Sequence, residues 1–511
     1  MSGAADIAEE THDEELENML GKVWRNATEK RIFVTGGIGP SASNEGFTVD
    51  YDLPNMTAYQ ETCASVAMAL WGERMSRLNG DAQYEDTVEK ALYNGMLSGV
   101  GLDGKSFFYT NPLASQGNHH RVEWFECACC PPNVLRTVAS IGGFAYAKSK
   151  DALFVNLYMG GRVGTKVGSQ SANWEVKTDY PWSGRVEMTA KASGVYDLML
   201  RKPGWCPSAS LSVDDKPVMG DAVQGYLQAG KVWKAGDKVV FDMQMPVQQV
   251  QANPMVKDDV NKSAIQRGPL IYCMEQVGNS AKVTDTILPL GTSFTTKFDP
   301  KLLGGVVAIQ ATGMQSASAE WNRDLYQPAP SATPVSVQLV PYGFWDNRGA
   351  GAMAVWMPTT PPTPRITGPE GKATVGMSFT SGNSQPWAIN DGLEVKSSGE
   401  QPEALCHWWP HKGGSEWVSY TWKKPIWVSG SRLFWFDDTG RGECRLPESF
   451  KLQTLRGTDW VDVPCETKVA MNQWSELKFE PIQTSSLRIL LNQQKDWASG
   501  IHEWKVIPFE K

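Results

Sequence analysis

The sequence predicts a multi-domain α + β protein, and three observations support this prediction. Apolar residues recur at helical spacing up to about residue 148, whereas from Ala152 onward they alternate with polar residues, as in strands. A stiff proline-rich stretch, Thr359–Pro364, marks the clearest boundary. A chain of 511 residues is also long enough for about three domains. We predict four segments: a helical domain over 1–150, a β-sandwich region over 151–358, a linker over 359–370 and a second β-sandwich over 371–511.

Charge and hydropathy exclude several classes of protein. With 48 Lys and Arg against 56 Asp and Glu, the net charge is −8, and no basic block stands out. Such a chain is a poor match for nucleic acid or an anionic membrane. No apolar run reaches the length of a membrane span, and the first residues lack the features of a secretory signal. The 21 tryptophans are many for this length, and Trp offers the flat surface on which sugars stack.

Apolar stripes and end signals predict the helices of the first segment. The first predicted helix runs through Leu16–Trp24 after a Thr11–Glu14 capping box, and the second runs through Val66–Leu78 and ends at Asn79-Gly80. A third begins at an Asp81 cap, and a fourth runs from Pro131-Pro132 to Gly142-Gly143. The loops at 35–57 and 99–126 are polar and rich in glycine, and long loops often carry function.

Short strands follow, with turn signals every 8–12 residues, as in a β-sandwich. Runs such as Leu153–Tyr158 and Lys238–Met243 belong to this series, which we expect to extend to about Gln276. A further strand-rich stretch ends at Trp356, so the 151–358 region divides into two sandwiches with a break near 276.

Cysteine spacing points to chemistry in the helical segment. Of nine scattered cysteines, Cys127, Cys129 and Cys130 lie within four residues, just before a predicted helix, and Cys63 follows Glu61 at another helix start. A helix N-terminus lowers the pKa of a thiol, and three thiolates with one carboxylate fit a tetrahedral zinc site. Two alternatives stay open. In the first, Cys127 and Cys130 act as a Cys-x-x-Cys redox dithiol, although the motif does not lie in a βαβ unit. In the second, the cysteines are buried packing residues without a chemical role.

Seven motifs then occur in order: Val34–Gly39, Asn44–Phe47, Tyr51–Asn55, Tyr59–Cys63, Ala91–Gly95, Phe107–Pro112 and Cys127–Asn133. Over about residues 1–360 the chain resembles the retaining β-L-arabinofuranosidases of glycoside hydrolase family 127 and the related family 146. The resemblance implies a zinc ion held by Glu61, Cys63, Cys129 and Cys130. It also implies that Cys129 is the nucleophile and Glu45 the general acid/base. Glu89 and Tyr109 match positions that line the sugar pocket, and Cys127 lies outside the zinc set. We interpret the adjacent His119 and His120 as surface residues rather than ligands.

The resemblance implies that the first segment is only the second half of an (α/α)6 barrel, and we expect the chain to be a fragment of a larger product. The implied activity is zinc-dependent, retaining release of non-reducing terminal β-L-arabinofuranose from plant-type glycans, with an arabinose-containing oligo- or polysaccharide as partner. An intact relative would be bacterial and periplasmic or secreted. The alternative is a truncated, inactive remnant that only binds carbohydrate.

The C-terminal segment carries a second, separate resemblance. Asn390–Gly392, Trp408-Trp409, Trp435–Asp438 and Gly500–Glu503 are similar to a galactose-binding-like jelly roll of the discoidin type. Aromatic platforms at one end of such a sandwich bind sugars, and Trp408 and Trp409 are the candidates here.

Overall fold

The computed structural model describes residues 1–42, 45–220, 222–315, 326, 331–361, 368–381, 384–402 and 404–509. It is a mixed α/β structure with few helices and many strands. Two compact units are present, Met1–Pro361 and Pro362–Lys511. The boundary between them falls within the predicted 359–370 linker, of which residues 362–367 lie outside the described residues. None of the helices in the described ranges combines the length and apolar character needed to cross a membrane.

The described residues form six α-helices: α1 Ser2–Thr11, α2 Glu14–Lys30, α3 Thr62–Asn79, α4 Ala82–Lys90, α5 Cys130–Ala139 and α6 Gly142–Ala145. The predicted caps of α4 and α3 are confirmed. Asp81 accepts a hydrogen bond from the backbone N–H of Gln83 at 2.9 Å, and Gly80 ends α3 with a φ of 65°. The capping box before α2 is wrong, because Thr11 closes α1 and Asp13 itself caps α2 through two backbone N–H groups.

Helices α2, α3 and α4 share one apolar core around Trp24. Its indole meets Trp71 edge-on, with ring centroids 4.8 Å apart, and lies against Tyr84. Gly72 makes this approach feasible, because a Cβ there would stand 2.7 Å from Val88 and 3.1 Å from Trp24. The packing therefore fixes the axis of α3, whose N-terminus carries Glu61 and Cys63.

Strand β1, Ala114–Ser115, lies among the helices in the sequence but belongs to a later sheet. The next ten strands form two sheets: β2 Tyr146–Lys148, β3 Ala152–Val155, β4 Gly161–Val167, β5 Gln170–Thr178, β6 Arg185–Ala190, β7 Gly194–Arg201, β8 Ala209–Val213, β9 Lys216–Pro217, β10 Tyr226–Trp233 and β11 Lys238–Met243. A four-stranded sheet has the order β10-β7-β3-β2, and a six-stranded sheet the order β4-β5-β6-β11-β8-β9. Their residues form one core, and the Trp174 indole donates a hydrogen bond to the Tyr196 hydroxyl across it at 2.9 Å.

The rest of the first unit is a ten-stranded sheet containing β1 and the strands β12 Val247–Val250, β13 Lys262–Arg267, β14 Leu270–Glu275, β15 Thr286–Ile287, β16 Phe294–Asp299, β17 Val306–Gln315, β18 Thr333–Pro341, β19 Met353–Ala354 and β20 Met357–Pro358. The change of sheet lies between Met243 and Val247, not near residue 276 as predicted. The reason is that β14 pairs with β13, β18 and β19 and so belongs to the later sheet. Strand β1 pairs with β19 and anchors the long loop that leads to Cys127.

Within its described residues, the second unit has seven strands in one sheet: β21 Thr374–Met377, β22 Cys406–His407, β23 Ser415–Phe436, β24 Ser449–Arg456, β25 Asp459–Asp462, β26 Ser475–Asn492 and β27 Gly500–Pro508. Their order is β22-β27-β23-β26-β24-β25, with β21 paired to β23. Trp408, Trp435 and Trp504 are fully buried in its core.

Candidate active site

The N-termini of α3 and α5 converge on one cluster of side chains. Glu61 immediately precedes α3 and Cys63 lies in its first turn, while Cys129 immediately precedes α5 and Cys130 is its first residue. Thr62 fixes the start of α3, because its N–H donates to the carbonyl of Tyr109 at 3.0 Å. Both helices therefore direct the positive ends of their dipoles at the cluster.

The four predicted metal ligands come together. The ligand atoms of Glu61, Cys63, Cys129 and Cys130 all lie within 4.8 Å of one another. The Cys63 and Cys130 sulfurs are 3.4 Å apart, those of Cys129 and Cys130 are 3.7 Å apart, and Cys129 Sγ is 3.3 Å from Glu61 Oε1. Zinc bonds of about 2.3 Å to sulfur and about 2.0 Å to oxygen give tetrahedral edges of about 3.8 Å and about 3.5 Å. The donor set therefore fits zinc in both chemistry and spacing.

The electrostatics of the three thiols favour the same interpretation. Burial, with a hydrogen bond to Cys63 second, raises the pKa of Cys129 to about 12. The pKa of Cys130 is raised well above its usual range, chiefly by its hydrogen bond to Cys63, whereas that bond lowers the pKa of Cys63. The lowering of thiol pKa expected at a helix N-terminus is therefore not found at Cys129 or Cys130, and at Cys63 the lowering comes from hydrogen bonds, first that of Cys130. Three crowded sulfurs beside a carboxylate require a cation if they are to ionise together.

Glu45 reaches this cluster through two tyrosines. The Tyr59 hydroxyl donates a hydrogen bond to Glu45 Oε1 at 2.9 Å and also contacts Tyr109. The Tyr109 hydroxyl in turn neighbours the Cys129 thiol, because each of the two groups shifts the pKa of the other. A polar path therefore links the predicted acid/base, Glu45, to the predicted nucleophile, Cys129. Sequence reasoning did not single out Tyr59, although it opens the motif that contains Glu61 and Cys63.

Glu89 lies in a different environment. It is only 1% exposed. Its Oε1 accepts a hydrogen bond from Arg201 at 2.6 Å and another from Tyr180, and its Oε2 accepts one from the Trp205 indole at 3.0 Å. None of the hydrogen bonds described for Glu89 joins it to the cysteine cluster, so its predicted sugar contact stays a prediction.

The two neighbouring histidines lie in different surroundings. His119 stacks on Phe108, with ring centroids 4.7 Å apart, and on Trp345, and its Nε2 lies 3.0 Å from the Thr110 carbonyl. Burial in this stack lowers the pKa of His119 to about 4. It is therefore a partly exposed residue packed against aromatic rings rather than a freely exposed one, and the candidate metal group does not include it. His120 is exposed, as predicted, and its Nδ1 lies 2.8 Å from Asp346 Oδ1.

Three further predicted positions lie outside the cluster. Cys127 is exposed, and the sulfur contacts described for Cys130 are with Cys63 and Cys129. In the second unit Trp408 is fully buried, with its indole donating to Ser378, so it cannot serve as a sugar platform. Its neighbour Trp409 is partly exposed and donates to Glu443 at 2.8 Å.

Comparison with known proteins places the first unit among arabinofuranosidases. Profiles of the GH127 catalytic, middle and C-terminal domains of β-L-arabinofuranosidase match residues 1–143, 152–245 and 247–358. A non-reducing end β-L-arabinofuranosidase of Bifidobacterium longum subsp. longum is 35% identical over 380 residues, which cover 70% of this chain and 57% of the relative.

Solved structures agree with that placement. The crystal structure of Ara127N-Se, a GH127 β-L-arabinofuranosidase from Geobacillus stearothermophilus T6, is 40% identical with a TM-score of 0.67, over 70% of this chain and 59% of that one. A second GH127 β-arabinofuranosidase is 36% identical with a TM-score of 0.67, over 70% and 58% of the two chains. This chain thus spans a little under three fifths of the length of these relatives.

Proposed function

The chain belongs to the β-L-arabinofuranosidases of glycoside hydrolase family 127, and on that premise we propose that it is a zinc-dependent retaining hydrolase. Its substrate would be a glycan with a non-reducing terminal β-L-arabinofuranose. The observation that supports this best is the convergence of Glu61, Cys63 and the Cys129-Cys130 pair. Glu45 lies on the same side of the structure, since it is hydrogen-bonded to Tyr59, whose ring lies beside that of Tyr109.

Exposure separates Cys129 from Cys130, and a neighbouring hydroxyl separates it from Cys63. Cys130 is fully buried, whereas Cys129 and Cys63 are both partly exposed. Of these two, Cys129 is the one whose pKa is lowered by the neighbouring Tyr109 hydroxyl. A nucleophile needs both a path to substrate and a hydrogen-bond donor that orients it. Zinc, when bound by the four ligands, supplies the positive charge that keeps these thiols ionised at neutral pH.

The reaction then needs two displacements at the anomeric carbon. In the first displacement, the Cys129 sulfur forms a bond to the anomeric carbon, and the bond between that carbon and the leaving oxygen breaks. Glu45 donates a proton to the leaving oxygen. In the second, Glu45 takes a proton from water, the water oxygen bonds to the same carbon, and the bond to Cys129 breaks. Two inversions return the original configuration, which is the retaining outcome.

Finer features of the architecture belong to the same proposal. We propose that α2, α3 and α4, which pack around Trp24, are part of the second half of an (α/α)6 barrel. The second unit, whose strands enclose an aromatic core, would be a jelly roll. An intact relative would act in the periplasm or outside a bacterial cell.

A second candidate function is carbohydrate binding by the second unit. Trp409 and Trp497 are both partly exposed, and their loops are joined by a hydrogen bond from the Gly413 N–H to the Trp497 carbonyl. Arg445 covers one face of Trp497 at 4.0 Å, and Glu443 binds the Trp409 indole. Indoles with charged neighbours suit the apolar faces and hydroxyls of a sugar.

The decisive experiment measures zinc content and hydrolysis of an aryl β-L-arabinofuranoside by the purified chain. We expect zinc near one equivalent. Cys129→Ser should abolish turnover, and Glu45→Gln should lower it by about 10²–10⁴-fold. Cys127→Ser is the matched control, because this exposed thiol lies outside the cluster, and it should retain activity. Turnover that survives Cys129→Ser would refute the mechanism. Glycan binding without turnover, lost on Trp409→Ala, would favour the second candidate.

A further inference from the structure

Tyr59 lies where it can control the acid/base rather than the metal. It is 7% exposed, and its ring lies 5.9 Å from that of Tyr109. Its main chain is fixed on one side, because its carbonyl accepts from the Asn111 N–H at 3.1 Å. The hydroxyl is therefore presented from a rigid backbone, whereas its acceptor, Glu45, is an exposed loop residue with a φ of 49°.

Each tyrosine hydroxyl carries a single hydrogen, which limits how this path can be arranged. The hydrogen of Tyr59 is given to Glu45 Oε1 at 2.9 Å, and the Tyr59 ring lies 5.9 Å from that of Tyr109. The carbonyl oxygen of a carboxylic acid is a better acceptor than its hydroxyl oxygen, so the oxygen bonded to Tyr59 is the one that favours staying unprotonated. Oε2 is then left to carry the transferable proton.

From this arrangement we infer that Tyr59 is a positioning residue for the acid/base: its hydroxyl holds Glu45 Oε1 and thereby presents Oε2 to the leaving oxygen. The inference rests on the proposed function and assigns no contact with substrate to Tyr59. An exposed carboxylate on a loop otherwise samples several rotamers, and holding it in one geometry is what raises the rate of proton transfer.

The test uses the leaving group, because only a poor leaving group needs the proton. Tyr59→Phe keeps the buried ring and removes the hydroxyl. We expect kcat/KM to fall by about 10–100-fold for methyl β-L-arabinofuranoside and by less than about threefold for the dinitrophenyl glycoside. In a Glu45→Gln background, the same Tyr59→Phe change should cost little further, since the group it positions is already gone.

Tyr109→Phe is the matched comparison, because it removes the hydroxyl on the Cys129 side. It should slow both substrates by similar factors. Zinc content and melting temperature of the Tyr59→Phe protein should equal those of the parent. Equal losses on both substrates, or full additivity with Glu45→Gln, would overturn the role of Tyr59 while leaving the proposed function intact. A parent chain that hydrolyses neither glycoside would instead refute the proposed function.

Discussion

Asn133 on α5 donates a hydrogen bond from Nδ2 to the sulfur of Cys63 on α3, over 3.0 Å. The amide is itself oriented, because Arg136 Nε donates to Asn133 Oδ1 at 2.6 Å. A residue of one helix thus aligns a proposed metal ligand carried by the other. Donors to a metal-bound sulfur act in this way in many metal sites, since they fix the ligand and stabilise its charge.

Replacing Asn133 should weaken metal binding without removing a ligand. We expect Asn133→Ala to lower zinc affinity by about 10–100-fold, measured by competition with a chromogenic chelator. Ser140→Ala, directly after the end of the same helix, is the control, because the bonds described for the Ser140 hydroxyl go to the backbone carbonyls of Arg136 and Thr137. Equal affinities for the two variants would show that the Asn133 bond does not support the site.

Removing the metal should destabilise the first unit. The four ligands join the starts of α3 and α5, which are far apart in sequence, so a bound cation links them only in the folded state. A ligand at 100 times its Kd stabilises the fold by about 3 kcal/mol, and chelation should lower the melting temperature accordingly. Added zinc should restore it, and Cys63→Ala should abolish the response. A parent melting temperature indifferent to chelator would contradict a bound structural cation.

Glu89 and Arg201 form a buried ion pair, with exposures of 1% and 0% and a contact of 2.6 Å. Arg201→Met leaves the carboxylate buried without its partner, so we expect a loss of about 3–5 kcal/mol in the free energy of unfolding. Arg185→Met is the comparison, because Arg185 pairs with Glu187 at 2.8 Å with both side chains about half exposed. It should cost less than about 1 kcal/mol. Urea titration gives both values, and similar losses would refute the burial argument.

The sequence allowed more to be predicted about ligands than about their surroundings. Glu61, Cys63 and the Cys129-Cys130 pair were recognisable because residue type and helix-start position are local properties. That the two starts meet depends on long-range packing, such as the close approach that Gly72 permits between α3 and its neighbours. Helix α1 was missed, since its buried residues, Ala5 and Ala8, are too small to give a strong apolar stripe.

Residues with distant partners were the hardest to interpret. Glu89 reads as an ordinary helical acid until Arg201, more than a hundred residues later, is placed beside it. His119, next to another histidine in a polar loop, has the pattern of a surface residue. Its ring is packed because Trp345, which lies between strands β18 and β19, stacks against it, and the sequence does not reveal this contact. The break near 276 failed for a similar reason, because strand pairing and not strand spacing decides which sheet a strand joins.

Glu85 should give the first unit a pH-dependent stability. It is fully buried, with Oε1 accepting a hydrogen bond from Asn156 Nδ2 at 3.0 Å. Burial raises the pKa of Glu85 from 4.5 to about 7, so the folded state keeps a proton that the unfolded state releases at lower pH. The stability this group contributes is therefore fully present below pH 4.5 and is lost as pH rises through about 7.

We therefore expect Glu85→Gln, which is neutral at every pH, to flatten this part of the profile. The parent should lose roughly 3 kcal/mol between pH 4.5 and pH 8 from this group, and the variant should not. Urea unfolding at four pH values measures the difference. Glu187→Gln serves as the control, because that carboxylate is about half exposed and its loss should leave the slope of the parent intact. Parallel stability profiles for the parent and Glu85→Gln would contradict this prediction. They would show that the pH dependence of stability comes from a group other than Glu85.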